Sequence, residues 1–94
     1  MMNTAASINK TSSAVVSANP GTLYSVVLTA GSDAATVTLY DNASAGSGTI
    51  ICKLAAAAAN TTTTWSPGVR IPVANGIYAT ITGTSPSVTV AYAP

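Results

Sequence analysis

Histidine and phenylalanine are absent from this chain of 94 residues, cysteine and tryptophan occur once each, and only 5% of positions carry a charge. Each shortage excludes something. Without histidine, general acid–base work falls to Asp33 and Asp41 alone, and no Ser/His/Asp or Cys/His relay can be assembled. A zinc centre lacks ligands. Two carboxylates outside any clustered motif are a poor calcium signature, and aspartate in a turn or at a strand end ordinarily bonds nearby backbone. The expectation is a non-enzyme with no catalytic residues, no cofactor, no metal and no small-molecule substrate. The single cysteine, Cys52, excludes an internal disulfide. Its alternation with Ile50 and Leu54 predicts a small buried hydrophobe. The three cations, Lys10, Lys53 and Arg70, are scattered and form no basic stripe, so no nucleic-acid partner is expected. Gly46-Ser47-Gly48 has neither the lysine nor the helix that a phosphate loop requires. No apolar run is long enough to span a bilayer, so no membrane partner is expected. Residues 1–20 lack the continuous apolar segment of a secretory signal, which predicts synthesis in the cytoplasm. The glycosylation-type triplets at Asn9, Asn42 and Asn60 then read as chance in a chain rich in serine and threonine.

What is present is a small-residue hydrophobic inventory. Hydrophobic residues make up 48% of the chain, much of it alanine. A chain of this length forms one domain and buries roughly two thirds of its unfolded surface. Its core must be thin and built from aliphatic side chains. The five charges, Lys10, Asp33, Asp41, Lys53 and Arg70, compare with about a quarter of residues in ordinary soluble domains. Threonine and serine occupy the outward strand positions where lysine and glutamate are usual. A surface with so little charge is poorly protected against association. It suits a protein that works inside a permanent assembly, and a homo-oligomer is expected.

The strand pattern organises around 76–92 and 22–42. Ile77, Ala79 and Ile81 alternate with Tyr78, Thr80 and Thr82, and Val88, Val90 and Tyr92 alternate with Thr89 and Ala91, which predicts two half-buried strands. Gly83-Thr84-Ser85-Pro86-Ser87 between them has hairpin-loop chemistry. Earlier, Thr22–Ala30 forms a strand, with Tyr24, Val26, Leu28 and Ala30 on the better core face and Leu23, Ser25, Val27 and Thr29 opposite. In Ala35–Tyr40, Ala35, Val37 and Leu39 face in while Thr36, Thr38 and Tyr40 face out. In Thr49–Leu54, Ile50, Cys52 and Leu54 face in. The alanines 55–59 allow a turn of helix at most, followed by a strand through Thr61–Thr64 into Trp65. Val69–Val73 is short and, with Pro72 removing a ladder donor, lies at an edge or is irregular. Ser13–Ala18 is a short first strand before the Asn19-Pro20-Gly21 turn, and Met1–Thr11 reads as an arm. The domain plan is residues 1–20 as arm and first short strand, and 21–94 as the sandwich. About eight short strands with turns between them predict an all-β protein. It is a single antiparallel sandwich, jelly-roll-like or immunoglobulin-like.

Exposed tyrosine and tryptophan anchor interfaces or stack on sugars. Tyr40 and Tyr78, outward by alternation, are the leading interface candidates, with Arg70 and Trp65 beside them. Trp65 and Tyr24 also have a plain reading as core or rim packing.

From Leu39-Tyr40-Asp41-Asn42-Ala43-Ser44 through Gly48-Thr49-Ile50-Ile51, and again from Asn75-Gly76-Ile77-Tyr78-Ala79-Thr80 to Val88-Thr89-Val90-Ala91-Tyr92, the sequence resembles small β-sandwich virion proteins of tailed bacteriophages. The resemblance spans about residues 22–92 and is one of strands and turns. It implies a structural protein of the phage particle, located in the virion and assembled in the host cytoplasm. Foremost is a capsid decoration (cement) protein with the major capsid protein as partner. The alternatives are a tail, neck or head fibre component, or a carbohydrate-binding module that contacts a host receptor through Trp65 and tyrosines. Residues 1–20 match no pattern in that family.

Overall fold

A computed structural model describes residues 6–68 and 70–93. Among these residues nine antiparallel strands run β1 (Ala6–Lys10), β2 (Ala14–Ser17), β3 (Gly21–Thr29), β4 (Ala35–Tyr40), β5 (Ile50–Ala56), β6 (Thr62–Trp65), β7 (Ile71–Val73), β8 (Ile77–Thr82) and β9 (Ser87–Ala93). Among the described residues there is no helix. The alanine run joins β5 as far as Ala56, and the chain then turns at Asn60, whose φ is +60°.

The pairing has a simple logic. β4 and β5 form a hairpin around the 41–49 loop. Behind that tip the two halves of the chain pair as one long ribbon: β3 with β6 and β7, β2 with β8, and β1 with β9. The ribbon then rolls up, so that β9 also pairs β3 and β8 also pairs β4. The result is a five-stranded sheet ordered β1-β9-β3-β6, with β7 also on β3, facing a four-stranded sheet ordered β2-β8-β4-β5. A ribbon rolled in this way is a jelly roll, with β6 and β7 serving as one interrupted strand. Between the two sandwich architectures left open by the sequence, the pairing selects this one.

Two expectations are corrected here. β8 and β9 are not a hairpin: they lie in different sheets, and residues 83–86 cross the end of the sandwich between them. Turn residues specify a reversal of the chain, and a sandwich corner uses the same chemistry as a hairpin. The corner is held by its neighbours: the Ser32 amide donates to the Thr84 carbonyl at 3.2 Å, and the Thr84 hydroxyl donates to Asp33 at 3.0 Å. The arm is also partly a strand. Residues 6–10 form β1 and pair along their length with Val88–Tyr92 of β9. The expected edge position of Pro72 is found, since β7 pairs with β3 alone. Val69 lies outside the described residues.

The core is the expected aliphatic one: Leu23, Val26, Leu28, Val37, Leu39, Ile77, Val88 and Val90 are fully buried, and among the described residues no polar or charged residue is buried. Three irregularities in register decide which residues reach it. Val16, Tyr24 and Ile51 are each an extra residue opposite a partner strand, in β2, β3 and β5 respectively. A bulge shifts the alternation by one and swaps the faces on one side of it. Leu23, expected outward, is therefore fully buried. Ile50, expected inward, is 53% exposed. The inward set of β4 is as expected.

Cys52 is buried, and burial pushes its thiol up to about 11, because the thiolate loses water it cannot replace. Thiolate is the reacting species. Cys52 will consequently resist alkylation by iodoacetamide at pH 8 in the folded chain and react fully in denaturant, as read by mass spectrometry. Equal labelling in both states would refute its placement.

Candidate functional site

The bulge at Ile51 has a consequence for the outer surface. It puts Ile50 opposite Tyr40, which stands opposite Tyr78, which stands opposite Val15. Directly opposed residues project from the same face of a sheet. Val15, Tyr78, Tyr40 and Ile50 thus form one row across all four strands of the β2-β8-β4-β5 sheet, on its solvent side. Ile50 is the exposed end, and the other three are half-buried. The rows beyond it are hydroxyl-lined: Thr38 faces Thr80, and Thr36 bonds Thr82. Lys53, opposite Thr38, is the one charge on these rows.

The 41–49 loop shapes one end of the row. Asn42 Oδ1 accepts from the amides of Ser44 and Ala45, both at 2.9 Å, while its Nδ2 donates to the Ser47 carbonyl at 3.0 Å. These bonds curl the loop so that Gly46 lies against Thr80 and Tyr78. Any side chain at 46 would collide with the Thr80 hydroxyl.

The root of that loop is fixed by Asp41. Its carboxylate accepts from the backbone amides of Ala74 at 3.0 Å, Asn75 at 2.8 Å and Gly76 at 3.4 Å. Those amides, Ala74 first, hold the carboxyl below its ordinary value, against a smaller opposing effect of partial burial. Gly76 sits so close to the loop that a Cβ there would lie 2.5 Å from the Ser17 carbonyl oxygen and 2.9 Å from the Ala43 Cα. Gly76→Ala will therefore cost about 1–3 kcal/mol of stability in a denaturant melt, as an overpacked backbone contact does. A loss under about 0.5 kcal/mol would show that the turn is looser than this.

The four residues chosen from sequence fall into two places. Tyr40 and Tyr78 meet in the outer row. Trp65 belongs to the other sheet, where it is half-buried and packs against the core. Arg70, also by that sheet, is exposed just before β7 and lines a cavity with Tyr24, Ser66 and Gly68. Sequence reasoning missed Ile50 and Val15. Among the described residues no group of three or more histidine, cysteine or acidic side chains is placed to hold a metal ion. Also among them, no helix is long and apolar enough to cross a membrane. No known protein family, curated protein or solved structure matches the chain.

Proposed function

We propose that this protein is a structural component of a bacteriophage virion, a capsid decoration protein that binds the major capsid protein and stabilises the head. The observation that carries the reading is the row Val15–Tyr78–Tyr40–Ile50, an apolar and aromatic strip that runs the width of a sheet whose surroundings are hydroxyls and almost uncharged. Aromatic residues on a desolvatable surface with little charge at its centre are what protein interfaces use. The strip stands on a two-layered body with no buried polar or charged residue among the described residues. Such a body loses little order on docking. Repeated over a symmetric shell, modest contacts add by multivalency.

The test uses purified particles from cells that make the chain, labelled with an antibody to it. Label distributed over the head supports the reading. Label confined to the tail or neck, or its absence from particles, overturns it. Ile50→Asp keeps the fold, because Ile50 is exposed, and lowers head occupancy at least tenfold. Unchanged occupancy would remove the strip from the interface.

A further inference from the structure

A separate feature lies on the edge of the five-stranded sheet. β6 ends at Trp65, paired with Val26, and β7 begins at Ile71, paired with Leu23. On this side of β3, Tyr24 and Ser25 have no ladder partner among the described residues, and residues 66–68 follow β6 outside any strand. The bulge at Tyr24 falls at the same point. The result is an open notch with a cavity of about 620 Å³, lined by Tyr24, Ser66, Gly68 and Arg70. That volume is within the ~300–1,000 Å³ typical of small-molecule sites.

The lining has a definite chemistry. Tyr24 brings an aromatic ring and a hydroxyl, and Ser66 a second hydroxyl. Arg70 brings a planar cation. Both aspartates are engaged elsewhere, Asp33 with Thr84 and Asp41 with the 74–76 turn. A Cβ added at Gly68 meets no atom within 4 Å other than its chain neighbours, so this wall is open to an entering molecule. A pyranose chair, with C–H groups on its face and hydroxyls at its rim, matches an aromatic face beside polar groups. A guanidinium fork matches a carboxylate.

We propose that the notch binds a carboxylated sugar unit, a hexuronate or its equivalent at a glycan terminus, with the carboxylate on Arg70 and the ring against Tyr24. This goes beyond the assembly role and does not rest on it, since the notch and the Tyr40–Tyr78 row are on different sheets. Because the notch is open, a single unit binds in the millimolar range, and useful avidity comes from many copies.

The test titrates the isotope-labelled 94-residue chain with sodium glucuronate, glucose and sodium acetate at matched ionic strength, following backbone amides by NMR. Saturable shifts at Tyr24, Ser25, Ser66, Gly68 and Arg70 are expected with glucuronate, and at least tenfold weaker binding with glucose and acetate. Arg70→Gln, at an exposed position, erases the preference over glucose without moving distant signals. Tyr24→Leu weakens glucuronate and glucose alike. If self-association broadens the spectra, saturation transfer to the ligand protons makes the same comparison. Equal binding of acetate would mean an anion contact only and would overturn the proposal. So would shifts elsewhere, absence of saturation, or an Arg70→Gln variant that keeps the preference.

Discussion

Leu23→Ala will destabilise the fold by about 2–5 kcal/mol, while Val27→Ala four residues along the same strand will cost less than about 1 kcal/mol. Plain alternation puts both residues on one face of β3 and so predicts similar effects. The structure separates them. Leu23 is 0% exposed and stands opposite Tyr92 at the inner face, whereas Val27 is half-buried and stands opposite Thr89 and Thr64 on the outer one. The cause is Tyr24, the extra residue between Leu23 and Ser25. Removing the Leu23 side chain leaves a cavity between two packed sheets that cannot close over it, which adds to the lost transfer free energy. Total stability of a domain this size is small, about 5–15 kcal/mol, so the first variant sits near the limit of folding. Urea melts of both variants against the parent are the measurement. Equal losses would mean that β3 runs without its bulge.

The same comparison shows what could be read from sequence. β4 reads correctly because Ala35–Tyr40 is regular, and its inner set of Ala35, Val37 and Leu39 follows from period two alone. β3 and β5 read correctly only on one side of Tyr24 and Ile51. A bulge changes no composition, and nothing in Leu23-Tyr24-Ser25 or Ile50-Ile51-Cys52 announces one. For this reason alternation places Tyr40 and Tyr78 outward correctly and places Ile50 in the core, where it is not. The outer row needs Ile50 as its exposed end, so the candidate surface was half visible. The partner of each strand was less visible still. Gly83-Thr84-Ser85-Pro86 promises a reversal, and only the packing of both layers decides whether the chain returns beside itself or crosses to the facing sheet. The notch at Tyr24 combines both problems: it needs a bulge in β3 and a break between strands that are distant from it in sequence.

Asp41→Ala will lower stability by about 2–4 kcal/mol, a fall of roughly 10 °C or more in melting temperature for a domain of this size. Aspartate at a strand end suggests a local turn, yet this carboxylate bonds amides 33 to 35 residues away. It ties the tip of the ribbon, where β4 turns into β5, to the turn that starts β8. Three charge-assisted bonds would sum to more in a dry interior, and their nearness to solvent reduces the figure. The variant also leaves the Gly76 amide without its acceptor in a buried position. The pH dependence follows from the direction of the shift. The folded carboxyl lies below its unfolded value of 3.8, so the folded state favours the ionised form. Asp41 therefore contributes its full stability above about pH 4 and loses it as pH falls through the lower, folded value. The gap between parent and Asp41→Ala should be widest near neutral pH and narrow steadily below pH 4. Asp41→Asn, which keeps the shape and one acceptor oxygen but not the charge, should fall between the two near neutrality and show the flatter acid profile of the alanine variant. A gap that stays constant from pH 7 to pH 2 would mean that the amides of 74–76 are held by packing at Gly76 and Ala43, with the charge contributing nothing. The row on the outer sheet depends on the answer. Asn42 follows Asp41 directly and sets the curl of the loop against Tyr78, so losing the Asp41 anchor frees the loop and changes how much of the tyrosine pair a partner can reach.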